Sequence, residues 1–126
     1  MKDKYDIRLY LDHRPFIKNG DVLEWRSETI LGKSIRAVTG YNVNHASQIV
    51  TFDDFYHNKP LRIYTLEALS HGIELNLVSR RLEEFKGKIY WLPLKEHYND
   101  KRFEISRHGL ERIGIPYDYT SIKQIF

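Results

Sequence analysis

Cysteine is absent from the 126 residues. That excludes a disulfide scaffold, a thiolate metal site and, within these residues, a cysteine nucleophile. No stretch approaches the ~20 consecutive apolar residues of a membrane-spanning helix. The first residues, MKDKYDIRLYLDHR, have no apolar segment of the kind that drives secretion. The expectation is a cytoplasmic protein without a membrane span. Four prolines and seven glycines are too scattered to make a linker, and no repeat or low-complexity tract divides the chain. Charge of one sign is also scarce: 20 basic and 17 acidic residues leave a net +3. The cations form no stripe beyond the pairs Arg80-Arg81 and Lys101-Arg102, which argues against nucleic acid as the main ligand. What remains, 41% hydrophobic and 29% charged, suits one soluble domain over residues 1–126 with one core.

The chain alternates between strand-like and helix-like patterns. Tyr5–His13 reads as a strand, and Asn19-Gly20-Asp21 as a turn. Gly20–Trp25 reads as a short strand. Ser27 is placed to cap a helix with Ile30, Leu31, Ile35 and Val38 on one face, closed by Gly40. His45–Phe52 is a strand, and the polar stretch Asp53–Pro60 a long hairpin loop. Leu61–Leu69 alternates, with Leu61, Ile63, Thr65 and Glu67 on one face and Arg62, Tyr64, Leu66 and Ala68 on the other. Ser70-His71-Gly72 turns the chain into Gly72–Val78, where Ile73, Leu75 and Leu77 share a face. Ser79 opens a helix in a capping-box arrangement, with the glutamate four rather than three positions on and Leu82 and Phe85 inward, ended by Gly87. Lys88–Leu94 is a strand that stops at Pro93. Asn99 or Asp100 caps a helix carrying Phe103, Ser106, Leu110 and Ile113, stopped by Gly114 and Pro116. A last short helix is expected from Thr120. The order gives an α+β fold, an antiparallel sheet with helices packed against it.

Six histidines make neither an HExxH motif nor a short-spaced ligand pair. Neither a metal nor a cofactor is called for. His57, His97 and His108 lie in polar or exposed contexts, and His71 lies in a turn. His45 stands at the start of a strand, after Tyr41-Asn42-Val43-Asn44. There a ring can sit at the mouth of a sheet or make a structural hydrogen bond, and spacing alone leaves both open. Glu67 interrupts an apolar strand. A carboxylate there is costly to bury unless paired, and His45 on a neighbouring strand would orient with it as an imidazole–carboxylate pair. An exposed face or a sheet edge would accommodate Glu67 equally well.

The segments GDVLEW, ILGKSIRAVTG, YNVNHASQIV, LEALSHGIELNLVSRRL and KIYWLPL, then a helix followed by GIPYD (Gly114–Asp118), occur in an order that resembles the YiiX-like group of the NlpC-type hydrolases. The resemblance spans about Asn19 to Phe126 and implies a circularly permuted papain-like fold. It implies that His45 is the catalytic histidine and Glu67 the acid that orients it. It also implies a cysteine at a helix N-terminus downstream of Tyr117-Asp118, where the helix end and the histidine would stabilise a thiolate. No cysteine stands there. Thr120 and Ser121 are the nearest hydroxyls, and a hydroxyl does not ionise beside a histidine as a thiol does.

The reading that follows is a domain shortened before its nucleophile and inactive as given, whose relatives would hydrolyse a peptide, amide or acyl bond. Tyr41 and Asn44, near His45 in sequence, are candidates to line the substrate cleft. Ile122, Ile125 and Phe126 would cover part of the surface left open at the C-terminal end, and the rest would drive self-association. The alternative is a non-catalytic binding or structural module on the same fold. A related lipid acyltransferase branch uses histidine where Glu67 stands; the glutamate argues against it, although His71 lies nearby.

Overall fold

Alternation at period two governs the middle of the chain, and five strands result among the described residues. The computed structural model describes residues 7–28, 30–40, 44–54 and 59–116. The strands are β1 (Val22–Ser27), β2 (His45–Asp54), β3 (Lys59–Leu69), β4 (Gly72–Leu77) and β5 (Gly87–Leu92). They form one antiparallel sheet in the order β4-β3-β2-β1-β5. Among the described residues four α-helices accompany it: α1 (Ile7–His13), α2 (Ile30–Thr39), α3 (Val78–Glu84) and α4 (Arg102–Leu110). The fold is α+β. No helix among the described residues is long and apolar enough to cross a membrane.

One sheet face carries the core. Leu23 and Trp25 of β1, Ile49 of β2 and Ile63 of β3 are buried there, beneath Ile17 and beneath Val78 and Leu82 of α3. Each such side chain contributes roughly 1.5–3 kcal/mol of burial. Hydroxyls on this face are satisfied internally. Trp25 Nε1–H donates to Ser47 Oγ at 2.9 Å, and Thr65 Oγ1–H donates to the same oxygen at 2.6 Å. On the opposite face α4 lies against β2 and β3. Gly109 brings it so close that a Cβ there would press into Gln48 Oε1 and Leu66 Cδ2. Gln48 Nε2–H donates to the Ile105 carbonyl at 2.8 Å across this contact.

Asp21 ties the sheet to its flanks. Its side chain is 1% exposed. Oδ1 accepts from Leu94 N–H at 2.9 Å and Arg102 Nη1 at 2.7 Å; Oδ2 accepts from Lys18 N–H at 2.9 Å and Trp91 Nε1–H at 3.0 Å. The turn before β1, the end of β5 and the start of α4 therefore meet on one carboxylate.

Several local expectations are corrected. The stretch from Ile7 to His13 is a helix, not a strand. Tyr10 and His13, three residues apart, both reach an apolar cavity of about 450 Å3 against Trp91, Leu82 and Val78. A strand would send that pair to opposite sides. Ser27 ends β1, three residues before α2 begins at Ile30, and its backbone N–H donates to Asn44 Oδ1. Ser79 forms no capping box, because α3 starts directly from β4 at Val78, with Leu77 at the cap position and no side-chain cap. Neither Asn99 nor Asp100 caps α4; both lie in a 3-10 turn over Glu96–Lys101, and Asn99 accepts from Arg102 Nε. Phe103 is 75% exposed and Ile113 48%, so the buried positions of this region are Ser106 and Gly109. The helix expected from Thr120, with Ile122, Ile125 and Phe126, lies outside the described residues, as do Tyr117, Asp118 and Ser121.

Candidate functional site

β2 and β3 deliver the two sequence-predicted side chains to the core-bearing face. Gln48 pairs with Leu66 in the register, so position 45 on β2 lies diagonally from position 67 on β3 and shares its face. His45 Nε2 and Glu67 Oε2 are 2.8 Å apart. The Glu67 side chain is fully buried, and the His45 side chain retains 20% exposure. The imidazole rests on Trp25, with ring centroids 6.0 Å apart and planes at 51°. No second hydrogen-bond partner contacts the ring among the described residues.

Arg81 is the member that sequence reasoning missed. On α3 it shares a helix face with Val78 and Leu82, three behind and one ahead, the pair that anchors the helix to the core. That packing aims the guanidinium down at the sheet. Nε donates to Glu67 Oε1 at 2.6 Å and Nη2 to Oε2 at 3.0 Å, a two-pronged pair. The guanidinium carbon also lies 5.0 Å from the centroid of the Trp25 ring, a cation–π contact. The spacing of Val78, Arg81 and Leu82 was the available signal, but the run SRRLEEF reads as a solvated charged face until the sheet beneath it is known.

The electrostatics follow from this crowding. Burial pushes the Glu67 carboxyl up. Hydrogen bonds from His45 and Arg81, with the charge of Arg81, outweigh it and hold the carboxyl below its usual value. The guanidinium of Arg81 is raised by its hydrogen bond to Glu67, against the opposing effect of its own burial. Across the β3–β4 pairing Glu67 stands directly opposite Glu74. Two like charges so placed repel, and Arg81 offsets that repulsion. An ionised Glu67 only accepts hydrogen bonds. Toward such an acceptor the His45 ring presents an Nε2–H, and in a neutral ring that places the lone pair on Nδ1.

The other sequence candidates fare differently. The side-chain oxygen of Asn44 accepts the Ser27 backbone N–H at 2.7 Å, and the Asn44 backbone N–H donates to the Trp25 carbonyl at 3.0 Å. Asn44 thus joins the end of β1 to the start of β2. Tyr41 and His57 lie outside the described residues. His71 is exposed in the β3–β4 turn, 3.3 Å from Ser70 Oγ, and is not part of the His45 network. His97 and His108 are exposed. No group of three or more His, Asp or Glu suited to a metal occurs among the described residues.

Comparison with models of protein families and with curated proteins returns no match to this chain.

Proposed function

We propose that His45 and Glu67 are the base and the orienting acid of a cysteine-hydrolase-type site on a permuted papain-like, NlpC-type fold. The observation that carries this reading is the 2.8 Å contact between His45 Nε2 and a fully buried Glu67 carboxylate. It leaves Nδ1 as the basic atom of a partly exposed ring, able to take a proton from a nucleophile and return it to a leaving group. The resemblance supplies the reaction class, attack of a thiol on a peptide, amide or acyl carbonyl, with Tyr41 and Asn44 near the substrate. The 126 residues contain no thiol, so on their own they turn over nothing by this route. The lack of cysteine favours a second reading, a non-catalytic binding or structural module in which the same pair serves stability. Self-association through an apolar C-terminal surface and a cytoplasmic setting belong to the first reading as proposals.

The test supplies the missing nucleophile in trans. With p-nitrophenyl acetate and a small added thiol, the protein should accelerate thiolysis by at least about tenfold over His45→Gln, a modest share of the roughly 10²–10⁴-fold worth of a positioned general base. Without thiol the two proteins should be alike. Equal rates for both proteins in the presence of thiol would overturn the catalytic reading in favour of the module.

A further inference from the structure

The proposed hydrolase chemistry gives Arg81 no role of its own. We propose that Arg81 is a positioning residue: it keeps the Glu67 carboxylate a pure acceptor and thereby fixes the His45 lone pair at Nδ1. The inference rests on the proposed function only for the use made of that lone pair.

The alternatives open to the pair make the case. A buried carboxyl opposite another carboxylate has two ways to lose its charge imbalance. It can take up a proton, whereupon its O–H donates to His45 Nε2 and the ring proton moves to Nδ1. Or it can draw a second proton onto the ring, giving an imidazolium. Both outcomes abolish the Nδ1 lone pair. The groups facing Glu67 decide between these states and the one with an ionised carboxylate and the ring proton on Nε2: His45 from β2, Glu74 from β4 and Arg81 from α3, with Glu84 acting on Arg81 from the same helix. Among them only Arg81 carries a permanent positive charge. It engages both carboxylate oxygens, at 2.6 and 3.0 Å, so that Oε2 meets His45 as an acceptor. The guanidinium is itself held by the Trp25 ring and by the anchoring of α3 through Val78 and Leu82. The position of the fork is thus set by the core and not by the ion pair alone.

The readout is the nitrogen spectrum of the His45 ring in mildly alkaline buffer, assigned by its loss in His45→Gln. The unmodified protein should show a protonated Nε2 and an unprotonated, pyridine-like Nδ1. In Arg81→Met the pyridine-like Nδ1 signal should fall to less than about half, and Arg81→Lys should restore part of it through charge without the fork. A folded Arg81→Met protein with the unmodified pattern would overturn the proposal. Should Arg81→Met fail to fold, exchange of the Arg81 Nε–H with water decides: at least about tenfold slower than in free arginine is expected, and free-arginine exchange refutes the fork. No turnover is involved. A failed thiol assay with the expected spectra would discard the base and leave Arg81 in place, whereas an Arg81→Met spectrum identical to that of the unmodified protein, with a working assay, would do the reverse.

Discussion

Replacing Glu67 by glutamine changes one atom and the charge, and its cost can be worked from the contacts. The carboxylate accepts three hydrogen bonds, two from Arg81 and one from His45. The amide keeps one oxygen. If that oxygen stays with His45 and Arg81 Nη2, the NH2 group points at Arg81 Nε–H, donor against donor. If it turns around, the NH2 group points at His45 Nε2–H and Arg81 Nη2 instead. Either way at least one bond to a charged group is lost, worth about 1.5–3 kcal/mol. The guanidinium also loses its counter-charge. Breaking a buried ion pair costs about 3–5 kcal/mol, but Arg81 retains 16% side-chain exposure and recovers some hydration. The net expectation is about 2–4 kcal/mol of lost stability, a large share of the roughly 5–15 kcal/mol typical of a domain. Urea unfolding at neutral pH should show a midpoint lower by roughly 1–2 M with an unchanged slope. The acid limb gives a second check. The folded Glu67 carboxyl lies below its ordinary 4.5, so the unfolded chain binds more protons between those two values. The stability it supplies is complete above 4.5 and is lost as pH falls through the folded value. The gap between the two proteins should therefore close in acid. A midpoint shift worth less than about 1 kcal/mol, or a gap that stays constant into acid, would refute the assigned charge state.

Asp21→Asn should cost about 3–5 kcal/mol by urea unfolding, since turning one oxygen into NH2 strands two of four donors at about 1–3 kcal/mol each and removes the charge facing Arg102; a loss below about 1 kcal/mol would show that water satisfies the knot. Gly109→Ala should cost about 1–3 kcal/mol, because α4 must lift from Gln48 and Leu66 to admit a methyl group. A thermal midpoint unchanged from that of the parent would contradict so close an approach.

The strands were legible because side chains alternate between a core face and a less covered one. Ile63, Thr65 and Glu67 could be put on one side of β3 without knowing what lay above them. Their partnership with His45 was legible for a related reason: two polar groups in apolar strands each need the other. Local signals misled where tertiary contacts override them. The apolar residues at Ile7, Leu9 and Leu11 alternate like a strand, yet the segment is helical and its residues Tyr10 and His13 reach the cavity beside Trp91. Ser79 looked like a cap, but α3 follows β4 without a loop. Asp21 appeared only as part of a turn. Its four donors come from a neighbouring turn and from residues 91, 94 and 102, which no window of sequence brings together. Arg81 was hidden for the same reason, since an arginine among other charges has no visible partner until the helix is docked.

The two polar knots differ in the length of chain they close, and that difference bears on the order of assembly. His45, Glu67 and Arg81 are separated by 22 and 14 residues, along the continuous run β2-β3-β4-α3. Asp21 and Arg102 are 81 residues apart. Closing the longer loop costs about 1 kcal/mol more chain entropy than the 22-residue one, and it requires β5 and α4 to have docked. The histidine cluster can therefore be present at the rate-limiting barrier, while the Asp21 knot forms on its native side. Rapid-mixing kinetics should then show Asp21→Asn unfolding faster at a nearly unchanged folding rate, and Thr65→Ser or Ile63→Val in the meander slowing folding itself. The chemically interesting end of the sheet would in that case be built first, and the clasp that keeps it from opening would be fastened last.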